Sequence, residues 1–132
     1  MKLSLLRRAD ILPFRTIDAV YVPSYSVSSQ EQRLTSLSMA SMMEAVWWLQ
    51  SRRAKRIIYS GSYEGPTLEL DLALRRKLVG EYGITRDCVR EVVGITDTKD
   101  ELIKLEATLN DLDAHSVLLI ADEYHMPRLV RW

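Results

Sequence analysis

Four short runs of β-branched, aromatic and aliphatic residues recur along the chain: Asp18-Ala-Val-Tyr-Val-Pro-Ser-Tyr25, Arg56-Ile-Ile-Tyr-Ser60, Val89 to Ile95, and Val117-Leu-Leu-Ile120. A longer stretch with apolar residues at three- and four-residue steps separates each run from the next. Runs of the first kind suit buried strands, and stretches of the second kind suit amphipathic helices. Strict alternation of the two leaves few topologies, because a strand can return parallel to its predecessor only through a right-handed crossover. The expectation is an α/β fold: a three-layer α/β/α Rossmann-like domain with a mainly parallel sheet of about four strands.

The connecting stretches carry helix signals of their own. Ser28-Ser-Gln-Glu31 spells a capping box, so the first helix is expected from there to about Arg53. Leu34, Leu37, Ala40, Met43, Trp47 and Trp48 keep roughly helical spacing along it, and Met39, Met42, Val46 and Leu49 widen the apolar surface. Arg52, Arg53, Lys55 and Arg56 then offset the negative end of the helix dipole and need no nucleic-acid partner. Pro66 suits the first turn of a second helix, in which Leu68, Leu72 and Val79 share a face before Gly80 and Gly83. Thr98-Lys-Asp-Glu101 reads as a further capping box with Thr98 as the cap, followed by a Leu102, Leu105, Leu109, Leu112 seam.

At 132 residues, 47% of them hydrophobic, the chain suits one domain over 17–132, preceded by an arm over 1–16 that docks on it. Eighteen basic and eighteen acidic side chains cancel, so no global field draws it to nucleic acid or an anionic membrane. Lys2 and the few apolar residues after it fall short of a signal-peptide core, and no stretch is long enough to span a bilayer. The single cysteine, Cys88, suits a reducing compartment. A soluble, cytoplasmic protein is expected.

In a parallel sheet with helices on both faces, ligands sit beyond the carboxyl ends of the strands. Four strand ends therefore supply the candidates: Ser24 and Tyr25; Ser60, Gly61 and Ser62; Thr96, Asp97 and Thr98; and Asp122, Glu123, Tyr124, His125 and Arg128. Arg128 offers a guanidinium fork for phosphate or carboxylate, and His125, three residues before it, a proton donor or acceptor. A blander arrangement uses the same residues, with His125 capping the strand and Arg128 pairing with Glu123. The Ser60-Gly-Ser62 turn can present backbone amides to an oxyanion, or simply join strand to helix. His115 and His125 stand at opposite ends of the fourth strand, so no metal site is expected from them. Neither a Walker loop nor GxGxxG occurs.

Several of these residues together resemble the YdcF/SanA/ElyC-like family: the Asp18-Ala19 strand opening, Arg33 near a helix start, Ser60-Gly61 ending a strand, Glu69 in the next helix, Glu91 on the third strand, Asp97-Thr98-Lys99-Asp100-Glu101, and Tyr124-His125-Met126-Pro127-Arg128. The resemblance covers about residues 17 to 132. It implies a Rossmann-like domain with a polar cleft at the strand ends, and it brings S-adenosylmethionine in as a candidate cofactor. The family's glycine after the first strand is here Pro23-Ser24-Tyr25, and the asparagines flanking its helix-opening threonine are Asp97 and Glu101. That more acidic rim asks for compensation by Arg128 or Arg33 before a highly anionic ligand can bind.

The expected function is binding of a small polar or anionic metabolite, phosphate- or nucleotide-bearing, at the carboxyl edge, with hydrolase or transferase chemistry as an extension. Arg128, Ser60, Gly61, Ser62, Thr98, Tyr124 and Arg33 would bind, and His125, Glu69 and Asp97 would carry or orient the chemistry. The alternative from another class is a non-catalytic assembly protein that oligomerises with itself through the Met- and Trp-rich helix.

Overall fold

A computed structural model describes residues 16–23, 27–28, 33–61 and 66–120. The arm over 1–16 therefore lies outside them, apart from Thr16. Four strands form one parallel sheet: β1 (Ala19–Val22), β4 (Ile57–Ser60), β5 (Val89–Val92) and β6 (Val117–Leu119). Two short strands, β2 (Val27–Ser28) and β3 (Arg33–Leu34), pair antiparallel between β1 and the first helix. The helices among the described residues are α1 (Ser36–Gln50), α2 (Pro66–Glu81) and α3 (Thr98–Asp111), with a 3-10 turn at Arg86–Cys88. The three-layer α/β/α Rossmann-like arrangement read from the strand and helix order is the fold.

The strand order is β5-β4-β1-β6. The chain steps outward from β1 to β4 and β5, then crosses back to place β6 on the other side of β1. The direction of winding reverses between β1 and β6, and it is beside such a reversal that open α/β sheets leave a crevice at their carboxyl edge.

Alternation along the strands divides the core into two layers. Val20, Val22, Ile57, Tyr59, Leu118 and Ile120 point to the side covered by α1 and α2. Ala19, Tyr21, Ile58, Val92 and Val117 point to the side covered by Leu105 and Leu109 of α3. Both β1 and β4 are buried along their whole length. Parallel strands covered on both faces read as near-continuous apolar runs for this reason. Each fully buried aliphatic side chain contributes roughly 1.5–3 kcal/mol relative to exposure.

The amino edge is fixed by Asp18. Its Oδ2 accepts from the backbone N–H groups of His115 at 2.7 Å and Ser116 at 3.2 Å, while its own N–H donates to Ser116 Oγ at 2.9 Å. Lys55 Nζ lies 3.4 Å from Oδ1. Burial alone would raise the Asp18 carboxyl, but these partners together hold it below its ordinary value. The Asp-Ala opening of β1 thus ties the starts of β1 and β6 together.

Several local expectations are corrected. Ser28 belongs to the β2–β3 hairpin, not to a helix cap, and α1 begins eight residues later with Thr35 as N-cap, whose Oγ1 accepts from Ser38 N at 3.3 Å. Arg33 is on β3, two residues before the α1 N-cap and so near a helix start as expected, and is exposed. The α1 seam is also rotated. Met42, Ala45, Val46 and Trp48 are buried, while Leu37 and Trp47 are 46% and 45% exposed. Helix α1 ends at Gln50, so the basic cluster is not in its last turn. Arg53 stacks over Trp47 at 5.5 Å, Lys55 pairs with Asp18, and Arg56 donates to the Asp87 carbonyl at 2.9 Å. The third strand stops at Val92, three residues short of Ile95. At α3 the cap is Asp97, not Thr98: its Oδ1 accepts from Asp100 N at 2.7 Å, and Thr98 is the first helical residue.

Among the described residues, no helix is long and apolar enough to cross a membrane, and no cluster of three or more His, Cys, Asp or Glu could hold a metal ion.

Candidate functional site

The carboxyl edge on the α3 side is built by three elements. β1 supplies Tyr21, the last residue of its α3-facing set. β4 supplies Ser60, its terminal residue, in register with Val92 of β5. Because Tyr21 is in register with Ile58, Ser60 is its diagonal neighbour on the same face. The first turn of α3 then adds Thr98 and Glu101, both buried. Four polar side chains are thus sequestered where a Rossmann-like sheet receives its ligand.

A further buried polar pair lies on α2, which covers the opposite face of the sheet. Arg75 and Asp71 form an i, i+4 pair with Nε–Oδ1 at 2.8 Å, and both side chains are fully buried. Long helical side chains lean toward the helix N-terminus, and for α2 that is the carboxyl edge of the sheet. Asp71 adjoins Leu72, whose Cδ2 would lie 3.0 Å from a Cβ placed on Gly61. Helix α2 covers the Tyr59 face of the sheet, and the Arg75 charge is felt by Tyr59 as well as by Tyr21.

This polar set is incompletely satisfied. Tyr21 Oη, Ser60 Oγ and both Arg75 Nη atoms are buried without a hydrogen-bond partner. The Tyr21 hydroxyl lies beside Ser60 and Glu101 and feels the Arg75 charge, yet makes no well-formed hydrogen bond with them. Burial first, and the Glu101 carboxyl second, push this phenol well above its ordinary value; Ser60 and Arg75 oppose them. Tyr21 therefore stays protonated and able to donate. Buried polar groups are almost always paired, and each unmet donor typically costs about 1–3 kcal/mol. A ligand supplying partners would recover that loss.

The residues expected from the sequence divide into three groups. Ser60 and Thr98 come to the carboxyl edge and are buried. Gly61 is there too, but its missing Cβ makes room for α2, since a methyl would come within 2.5 Å of Leu68 Cδ1. Asp97 is at the edge and acts as the α3 cap. Glu69 and Arg33 are not brought to the cluster. Glu69 shares the exposed face of α2 with Arg76, which feels its charge, and Arg33 is exposed on the hairpin. Ser62, Tyr124, His125 and Arg128 lie outside the described residues.

Sequence reasoning missed Tyr21, Asp71, Arg75 and Glu101. Tyr21 stands in an apolar run and reads as core. Asp71 and Arg75 are spaced like a solvated i, i+4 pair, although Leu68, Leu72 and Leu78 flank them at core spacing. Comparison with family models, with curated proteins and with solved structures finds no match for this chain.

Proposed function

We propose that this protein binds a small polar metabolite bearing a phosphate or nucleotide at the carboxyl edge of its sheet. The observation that carries this reading is the unmet hydrogen-bonding capacity of the buried Tyr21 and Ser60 hydroxyls, on one face of adjacent strands, with β1 flanking the reversal in strand order. Arg128 and His125, which follow β6 in sequence, are the groups proposed to hold the anion and to exchange a proton. Hydrolase or transferase chemistry extends the same reading. S-adenosylmethionine enters as a ligand through the resemblance to the YdcF/SanA/ElyC-like family alone. The test is thermal stability against nucleotides, sugar phosphates and S-adenosylmethionine. Wild type is expected to shift by several degrees with at least one of them, and Arg128→Ala by less. No shift in wild type, or an equal shift in the variant, would sink the proposal.

A second reading rests on α1, whose Leu37, Met39 and Trp47 are 46%, 39% and 45% exposed among the described residues. Apolar side chains grouped on one helix suit self-association. A monomer by light scattering at micromolar concentration would count against it.

A further inference from the structure

We infer that the groove between α2 and β5 binds a small amphipathic anion, an apolar ring or chain carrying one phosphate or carboxylate group. The groove has a volume of about 430 Å³ and lies on the face of the sheet that α2 covers. Tyr21 faces the other way, so the inference stands apart from the metabolite reading above. Cavities of this size take ligands that bury an apolar body and are oriented by a few polar groups.

The floor and the rim of the groove differ in character. Val79 of α2, Ile84 in the turn after it and Val89 of β5 supply apolar surface, with Ile84 and Val89 only half-buried. Three exposed arginines, Arg76, Arg86 and Arg90, line the same groove against one carboxylate, Glu91. Glu91 is already engaged, by Tyr59 Oη at 2.6 Å and by Arg76 Nε and Nη2 at 2.7 Å each. Arg90 Nη1 lies 2.8 Å from Asp111, but those side chains are 43% and 66% exposed, and such a pair holds weakly and exchanges readily. Arg86 opens the 3-10 turn, and its guanidinium makes no hydrogen bond or ion pair among the described residues. The capacity left over is therefore donor capacity on positive groups, since guanidinium nitrogens never accept. A phosphate or carboxylate accepts only and carries the opposite charge, so it matches that rim while an apolar body covers the floor.

Gly80 adds an independent observation. It lines the groove from the last turn of α2, where glycine weakens a helix relative to alanine. No backbone conformation demands it, because its φ is not left-handed, unlike that of Gly83 at +73°, and a Cβ placed on it meets no atom within 4 Å. What the missing side chain leaves is room at the groove wall.

The experiment titrates the full chain, nitrogen-labelled for amide NMR, with phenyl phosphate, benzoate, inorganic phosphate and benzyl alcohol. Phenyl phosphate or benzoate is expected to shift the amides of Gly80, Ile84 and Val89. It should bind about tenfold more tightly than inorganic phosphate, which lacks the ring, and than benzyl alcohol, which lacks the charge. Arg86→Gln is expected to weaken binding about tenfold at an unchanged melting temperature, because that guanidinium holds nothing in the fold. Gly80→Leu is expected to abolish binding while keeping or raising the melting temperature, since leucine favours the helix and fills the groove. Inorganic phosphate or benzyl alcohol binding as tightly as the amphipathic anions overturns the inference, because charge or ring alone would then be what is recognised. Full affinity in either variant, or no shift with either anion, also overturns it. Shifts confined to Tyr21, Ser60 and Thr98 overturn it as well, while supporting a ligand at the carboxyl edge.

Discussion

Tyr59 and Tyr21 lie on adjacent strands, and both are fully buried. Their hydroxyls have opposite fates. Tyr59 faces α2 and donates to Glu91 Oε2 at 2.6 Å; that carboxylate also receives Arg76 through two bonds of 2.7 Å. Burial chiefly, then the bond to Glu91, raises the Tyr59 phenol far above its ordinary value. Tyr21 faces α3 and has no partner. The groove beside Tyr59 is sizeable, about 430 Å³, and is lined by Arg76, Arg86, Arg90 and Glu91 among others. Yet Arg76 and Glu91 satisfy one another there, and Arg90 pairs with Asp111 at 2.8 Å. The Tyr59 hydroxyl is spent within its own network, whereas the Tyr21 hydroxyl stays in reserve.

The largest effect should come from the fully buried ion pair on α2. Arg75→Met takes the guanidinium from the buried Asp71 carboxylate and is expected to cost about 3–5 kcal/mol in urea unfolding. The double variant Asp71→Asn with Arg75→Met removes the stranded charge and should recover most of that loss. If the single variant costs under about 1 kcal/mol, the pair behaves like a solvated surface contact and its burial does not set its energetics.

On the Tyr59 side, Glu91→Gln should cost about 1–3 kcal/mol at neutral pH, because hydrogen bonds to charged groups are the stronger ones. Burial would raise the Glu91 carboxyl, but the bonds from Arg76 and Tyr59 together hold it below its ordinary value. A carboxyl depressed in the folded state adds stability above its unfolded value, about 4.3, and loses it as pH falls through the folded one. The gap between wild type and Glu91→Gln should thus be widest near neutrality and close on acidification below about pH 4.3. A gap that widens in acid would contradict the satisfied network.

A smaller effect is expected at the α3 cap. Asp97→Ala removes the acceptor for Asp100 N and should cost about 1 kcal/mol by thermal melts. Ligand affinity should be unchanged, because the carboxylate is engaged by its own helix.

How much of this was legible in the sequence follows from the range of the forces involved. The alternation of β1, α1, β4, α2, β5, α3 and β6 was readable because each element carries its own periodicity. Pro66 at the first position of α2 and the Leu105–Leu109 seam are local signals of the same kind. The hairpin was not readable, since Ser28 and Glu31 satisfy a capping pattern and nothing local says that Val27 pairs with Leu34. Helix α1 is apolar nearly all round, so its sequence does not say which side meets the sheet; packing chose Met42, Val46 and Trp48. The site failed differently. Ser60 and Thr98 could be placed at the carboxyl edge because strand ends and helix starts are visible, but that Tyr21 and Arg75 are buried polar groups is not. Burial is set by α3 and by the sheet, not by neighbours in the chain.

The smallest predicted change is the sharpest comparison of the two regions. Tyr59→Phe breaks a 2.6 Å bond and leaves Glu91 with one donor fewer, so it should cost about 1 kcal/mol. Tyr21→Phe deletes a hydroxyl that has no partner, and with it the desolvation cost of burying that hydroxyl. Its expected effect on the free protein is between zero and a gain of about 1 kcal/mol. The sign decides the matter. Differential scanning calorimetry of both variants beside wild type should move the two melting temperatures apart, Tyr59→Phe down and Tyr21→Phe level or up. Equal losses would mean that the Tyr21 hydroxyl already has a partner in the fold, and the reserve of donors on this face would shrink to Ser60.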